Sequence, residues 1–179
     1  MTKTSAPSSA AQPHGDPRLH VRFENARFDP DLTPFHEIAK ESSARFGYRA
    51  ASSLNPRLTE LLRLRVAQLN PCPYCLILHA HVADQLGIPA EVVAHLPGWR
   101  ESAMFSPTEK VALAYCEALT TYDIARFDDV HDALRAHFDE KEVAEIAAVI
   151  INMNIWTRLK LAQGATPVET TRSDADPSE

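Results

Sequence analysis

Glu60-Leu-Leu-Arg-Leu-Arg-Val-Ala-Gln-Leu-Asn-Pro-Cys72-Pro-Tyr-Cys75-Leu-Ile-Leu-His79 is the stretch on which the reading of this chain turns. Just upstream, Asn55-Pro56 offers an N-cap followed by proline at the first helical position, which predicts a helix to about Leu69. Pro71 ends that helix. Cys72 before Pro73 starts another at once, running to Leu86, where Gly87 supplies the stop. Two helices meeting at a sharp corner, with both thiols at the start of the second, predict a helical hairpin.

The same punctuation continues in both directions. Pro34 to about Phe46 is a short amphipathic helix stopped near Gly47, and Pro89 to about His95 adds a short turn. Ser106-Pro107-Thr-Glu109 is a capping box that opens a helix to about Thr120. Phe127 or Asp128 to about Phe138 makes another, and Asp139-Glu-Lys-Glu142 caps a last helix to about Gln163 before Gly164. The centre of that helix, Ile146 to Trp156, is apolar on most faces, so it is expected to be buried inside the fold or against another subunit. No stretch alternates like a strand between turn signals, so the expected fold class is all-α. Residues 1–18, rich in Ser, Ala and Pro, read as a disordered leader. Residues 166–179 read as a disordered acidic tail, leaving one domain over 19–165.

Composition narrows the function. The 179 residues are 45% hydrophobic and 23% charged, as in an ordinary globular domain. A net charge of −6 argues against a nucleic-acid surface, which needs clustered Lys and Arg. No apolar run is long enough to span a bilayer and no secretory signal is visible, so the expected location is cytoplasmic. Three cysteines are too few for a disulfide framework. In a reducing compartment the close pair Cys72/Cys75 reads as catalytic or metal-binding, and Cys116 as a small buried hydrophobe.

A pair of thiols three residues apart closes a disulfide reversibly. With Cys72 at the N-cap, Cys75 falls in the first turn, where unpaired backbone N–H groups and the helix dipole favour a thiolate. His79, four residues on, shares its face and is placed to take the thiol proton. The competing reading is zinc held by Cys72, Cys75, His79 and His81. But His79 and His81 are two apart on a helix and point in different directions, which favours redox chemistry. Glu60 taken alone reads as an ion-pair partner of Arg57 or Arg63 at helical i±3 spacing. It lies about 15 Å back along its helix, and His79 about 10 Å along the next, so the spacing permits their contact without requiring it. The other histidines, His36 among them, read as surface residues. Asn152, Asn154 and Trp156 read as packing or interface residues.

The Glu60, Cys72, Cys75 and His79 spacing resembles the E-x11-C-x2-C-x3-H signature of the AhpD-like alkylhydroperoxidase family, within the carboxymuconolactone decarboxylase superfamily. The resemblance extends to Phe105-Ser-Pro-Thr-Glu-Lys-Val-Ala-Leu-Ala and to Ile151-Asn-Met-Asn-Ile-Trp-Thr-Arg158, covering roughly residues 35–164. It implies an AhpD-like helical bundle assembling as trimers or hexamers, with no cofactor or metal. It also implies peroxide reduction in which Cys75 attacks, Cys72 resolves, and His79 and Glu60 relay protons. An external thiol or a lipoylated protein would then reduce the disulfide. Where the best-known branch has a histidine before the second cysteine, this chain has Tyr74. The expected function is therefore a thiol-dependent peroxidase. The alternatives are a carboxymuconolactone-type decarboxylase and a non-enzymatic redox-sensing oligomer.

Overall fold

The computed structural model describes residues 21–46 and 52–169. The expected leader at 1–18 and the chain beyond 169 lie outside them. Seven α-helices are found among the described residues: α1 (Phe35–Phe46), α2 (Pro56–Leu69), α3 (Pro73–Gln85), α4 (Ala90–Ala94), α5 (Pro107–Thr121), α6 (Phe127–Arg135) and α7 (Glu140–Gln163). The fold is all-α, as expected, with one small addition described below. None of these helices is long and apolar enough to cross a membrane.

The helix starts follow from the caps. Asn55 Oδ1 accepts the Arg57 N–H at 2.8 Å, with Pro56 at the first helical position. Ser106/Glu109 and Asp139/Glu142 both form complete capping boxes, each satisfying two otherwise orphaned backbone donors. Gly87 and Gly164, at φ +70 and +73, end α3 and α7 in the left-handed conformation that glycine adopts without strain.

The centre of the fold is α2, which packs against α3, α5 and α7 at once. Leu61, Leu62, Leu64 and Val66 point to different sides of α2 and are all buried, so this helix is enclosed around its circumference. Helix α7 was expected to be buried on several sides. It buries Ile146, Ile150 and Met153 but leaves Ile151 and Ile155 in solvent.

The corner between α2 and α3 is anchored. Asn70, the last residue of the α2 cap, donates through Nδ2 to Asn154 Oδ1 at 2.9 Å and to Thr157 Oγ1 at 3.0 Å. Asn154 in turn donates to Thr120 Oγ1 on α5 at 3.1 Å. Three helices thereby fix the position of the residues just before Cys72.

Two strands correct the sequence reading. β1 (Val21–Asn25) pairs antiparallel with β2 (Ala165–Glu169), Phe23 opposite Pro167 and Asn25 opposite Ala165. Residues 166–169, expected to begin a disordered tail, thus belong to the fold. The ribbon is specified by pairing between the two ends of the chain, and each strand is only five residues long. Neither strand carries enough local pattern to be read alone. Gly164 turns the chain out of α7. Its carbonyl then accepts the Ala26 N–H at 3.0 Å, and Gln163 Nε2 donates to Asn25 Oδ1 at 2.8 Å. Phe23 packs edge-on against Tyr74, ring centroids 4.5 Å apart, so the ribbon lies over the start of α3.

Candidate active site

Cys72 is the N-cap of α3 and Cys75 lies in its first turn, both nearly fully buried. Their sulfurs are 2.7 Å apart, inside ordinary van der Waals separation, so closing the disulfide needs only a small movement. The structure divides the two thiols in a way the sequence reading did not. The Cys72 sulfur, as the capping atom, accepts the Cys75 backbone N–H at 3.4 Å, whereas Cys75 lines a cavity that Cys72 does not reach. The contact with Cys75 holds the Cys72 thiol below its usual range against the opposing effect of burial, with help from the Cys75 backbone N–H and the positive charge of Lys160. Cys75 is pushed well above its usual range by the contact with Cys72, by burial and by the negative charge Cys72 would carry. The charge of the pair therefore falls on Cys72, first through its contact with Cys75 and then through the backbone N–H it receives as the cap. The sulfur open to a ligand is Cys75.

Glu60 and His79 meet. Glu60 is completely buried, and its Oε1 lies 2.6 Å from His79 Nδ1. The crossing of α2 and α3 removes the difference in level that the spacing implied. The two readings of Glu60 prove compatible, since its Oε2 accepts from Arg63 at 3.0 Å while Arg57 goes instead to Glu109 at 2.7 Å. A carboxylate on Nδ1 favours the proton on that nitrogen and fixes the orientation of the ring. His79 lines the same cavity as Cys75, one helical turn further along α3.

The cavity encloses about 410 Å³ between α1, α2, α3 and α7. Tyr74, Leu78, Met153 and Trp156 supply its apolar wall. His36, expected on the surface, is 5% exposed and also faces the cavity, its Nδ1 3.0 Å from Asp31 Oδ1. It thus repeats the histidine–carboxylate pairing of His79 and Glu60 from a second element. Trp156 and Asn152, expected to serve packing or an interface, line the cavity, joined through Ser43, which accepts from the Trp156 indole N–H and donates to Asn152 Oδ1 at 3.1 Å.

Lys160 was missed altogether. Its ammonium reaches the cavity over the rings of Tyr74 at 4.6 Å and Trp156 at 5.8 Å, and burial lowers its pKa while the nearby thiols oppose that. The signal was present in the spacing: Asn152, Trp156 and Lys160 form an i, i+4, i+8 stripe, as His36, Lys40 and Ser43 nearly do on α1. His81 sits outside the cavity lining, against Gln85 at 3.1 Å. Cys116 is fully buried, as expected, and burial pushes its thiol up to about 12. The ligand atoms of Cys72, Cys75, His79 and His81 do not converge. Among the described residues, the group that comes together within 4.8 Å is Asp31, His36 and Glu37.

Comparison with known proteins bears on the family and the fold. The model of the carboxymuconolactone decarboxylase family matches residues 42–118. The uncharacterised protein YdfG of Bacillus subtilis is 32% identical over 118 residues, covering 65% of this chain and 80% of YdfG. A protein of unknown function from Agrobacterium tumefaciens, provisionally assigned to antioxidant defence as AhpD, has a solved structure that matches with a TM-score of 0.71 and 27% identity. That match covers 80% of this chain and 99% of that one. The debrominase Bmp8 shares the fold alone, at a TM-score of 0.62 and 20% identity over 76% of this chain and 71% of its own. With its AhpD-like fold, this chain belongs to the carboxymuconolactone decarboxylase family.

Proposed function

We propose that this protein is a thiol-dependent peroxidase that reduces organic hydroperoxides through a Cys72–Cys75 disulfide cycle. The observation that carries this reading is a cavity onto which Cys75 opens, with Cys72 2.7 Å behind it and the His79–Glu60 pair beside it. The provisional antioxidant assignment of the Agrobacterium protein supports it.

In the resting reduced pair the more acidic sulfur is Cys72, while Cys75 holds its proton. Attack requires that proton to leave Cys75 for His79 Nε2, the ring being oriented by Glu60. The Cys75 thiolate then attacks the outer peroxide oxygen. An S–O bond forms, the O–O bond breaks, sulfur is oxidised by two electrons, and the alkoxide leaves as an alcohol after taking a proton from His79 or His36. Cys72 next attacks the Cys75 sulfenic acid, forming the disulfide and releasing water. An external dithiol, or two thiols, returns both sulfurs to the reduced state. A cavity of about 410 Å³ with an apolar wall favours an organic hydroperoxide over hydrogen peroxide, which would leave it largely empty.

Exposed Phe35 and Ile38 on α1, and Ile151 and Ile155 on the α7 helix packed against it, support assembly into a homo-oligomer through this face. A reducing cytoplasm would suit the cycle. The deciding experiment is consumption of cumene hydroperoxide with dithiothreitol as donor, with the Cys72–Cys75 disulfide trapped and mapped by mass spectrometry. Full activity in Cys75→Ser would sink the mechanism. Turnover of a carboxymuconolactone by the Cys72→Ser/Cys75→Ser double variant would instead establish the decarboxylase reading.

A further inference from the structure

We infer that the cavity recognises organic acids, binding a ligand carboxylate on Lys160 while the apolar body of the ligand lies against Tyr74, Leu78, Met153 and Trp156. Resting on the peroxidase reading, this narrows the substrate class to hydroperoxides that carry a carboxylate.

The argument is one of charge accounting around a single cavity. Its lining holds five basic side chains: His36, Lys40, Arg63, His79 and Lys160. Four of them are matched by carboxylates of the protein. His36 has Asp31 at 3.0 Å, Lys40 has Glu37 at 2.7 Å, and Arg63 and His79 share Glu60 at 3.0 and 2.6 Å. Lys160 has no carboxylate within ion-pair distance among the described residues. Its contacts are the faces of Tyr74 and Trp156. A half-buried ammonium resting on two aromatic rings is a site short of one negative charge. Burial is the largest cause of the lowered pKa of Lys160, and the charges of Cys75, Cys72 and the more distant Asp31 offset it only in part.

The thiols meet the need only in part. The charge of Lys160 and that of the thiol pair favour each other, but the thiolate vanishes whenever the pair is oxidised. A ligand carboxylate would be present in both states. The aromatic and aliphatic wall beside Lys160 calls for an apolar body attached to that charge. The volume fits an aryl or medium-chain acid.

Binding and turnover test the inference separately. Calorimetry on the full chain carrying Cys72→Ser/Cys75→Ser should give 4-phenylbutyrate about ten-fold or more tighter binding than 4-phenylbutyramide, the scale of a partly desolvated charge pair. Adding Lys160→Met should abolish the preference and Lys160→Arg should keep it, with thermal melting used to check that each variant is folded. Equal binding of acid and amide, or a preference that survives Lys160→Met, overturns the inference. So does a Lys160→Met variant that shifts the titration of the native cysteines while the acid preference stays intact, since Lys160 would then serve the thiols alone. Acid binding without turnover of any hydroperoxide would leave acid recognition standing and defeat the peroxidase reading. Turnover of cumene hydroperoxide without acid preference would do the reverse.

Discussion

Glu60 Oε1 and His79 Nδ1 stand 2.6 Å apart across the corner between two helices, and the other oxygen of Glu60 is held by Arg63. A fully buried carboxylate so placed orients the imidazole that lines the cavity. Glu60→Gln preserves shape but removes the charge and places an amide against the ring. The expected result is a fall of about 10²-fold in kcat/KM for an organic hydroperoxide, the usual scale for losing a positioned acid–base group. A loss of about 1–3 kcal/mol in stability should accompany it, because Arg63 loses its charged partner and the amide N–H₂ meets the donor on His79 Nδ1. Steady-state kinetics and urea denaturation on one preparation read both effects. Unchanged kcat/KM would remove His79 from the proton path.

The two thiols set each other's acidity in opposite directions, and this yields a prediction that runs against intuition. Contact with Cys72 is the largest cause of the raised pKa at Cys75, and the negative charge of Cys72 adds to it. Cys72→Ser therefore lowers the Cys75 pKa toward the ordinary thiol range instead of raising it. Cys75→Ser does the converse, because Cys72 loses the contact that lowers its own pKa. Thiolate ultraviolet absorbance of each single variant against pH measures this directly. The order of acidity in the single variants should be compressed relative to the reduced native pair.

The helices and the thiol corner were legible because their signals are local. Asn55-Pro56, Cys72-Pro73 and the two capping boxes each satisfy donors within three residues, so spacing alone identifies them. Glu60 with His79 was half legible. The motif named both residues, but their contact depends on how α2 crosses α3, which no spacing encodes. His36 and Lys160 were only faintly legible: each lies on a helical stripe, with Lys40 and Ser43 or with Asn152 and Trp156, but a stripe does not say which cavity it faces. Only the packing of α1 and α7 around the cysteine helix turns them toward one cavity. The β1–β2 ribbon failed for a related reason: two five-residue strands at opposite ends of the chain specify each other and carry no pattern that stands alone.

Cys116 gives a pH dependence whose sign can be worked out. Burial raises its thiol from the ordinary 9.0 to about 12. Below pH 9.0 both folded and unfolded chains hold the proton, and the residue adds nothing to the pH dependence. Between 9.0 and about 12 the unfolded chain releases it while the folded chain keeps it, so stability is lost as pH rises, by up to about 1.4 kcal/mol per pH unit. Cys116→Ala should cost about 1 kcal/mol near neutrality through the small void it leaves. It should also flatten the alkaline limb of the stability curve relative to the native chain. Parallel alkaline limbs in the two proteins would show that Cys116 titrates normally.

Gly164 links the far end of α7 to the cover over the cysteine helix. Its φ of +73 lies in the left-handed region, and a Cβ built there would meet Arg27 Cγ at 3.0 Å and the Arg27 backbone nitrogen at 3.3 Å. Gly164→Ala therefore adds backbone strain to a steric conflict that a shift of the Arg27 side chain relieves only in part, since the backbone contact persists. The expected cost is about 1–2 kcal/mol. The damage should concentrate where Ala26 and Arg27 bond back to Gly164 and Gln163, at the edge of the β1–β2 ribbon. Because Phe23 of that ribbon packs on Tyr74 at the cavity wall, loosening it should raise KM for an organic hydroperoxide several-fold while leaving kcat nearly intact. Amide hydrogen exchange should show faster exchange in residues 21–27 than in α2. A Gly164→Ala protein with native exchange in that segment would show that the ribbon does not depend on the glycine.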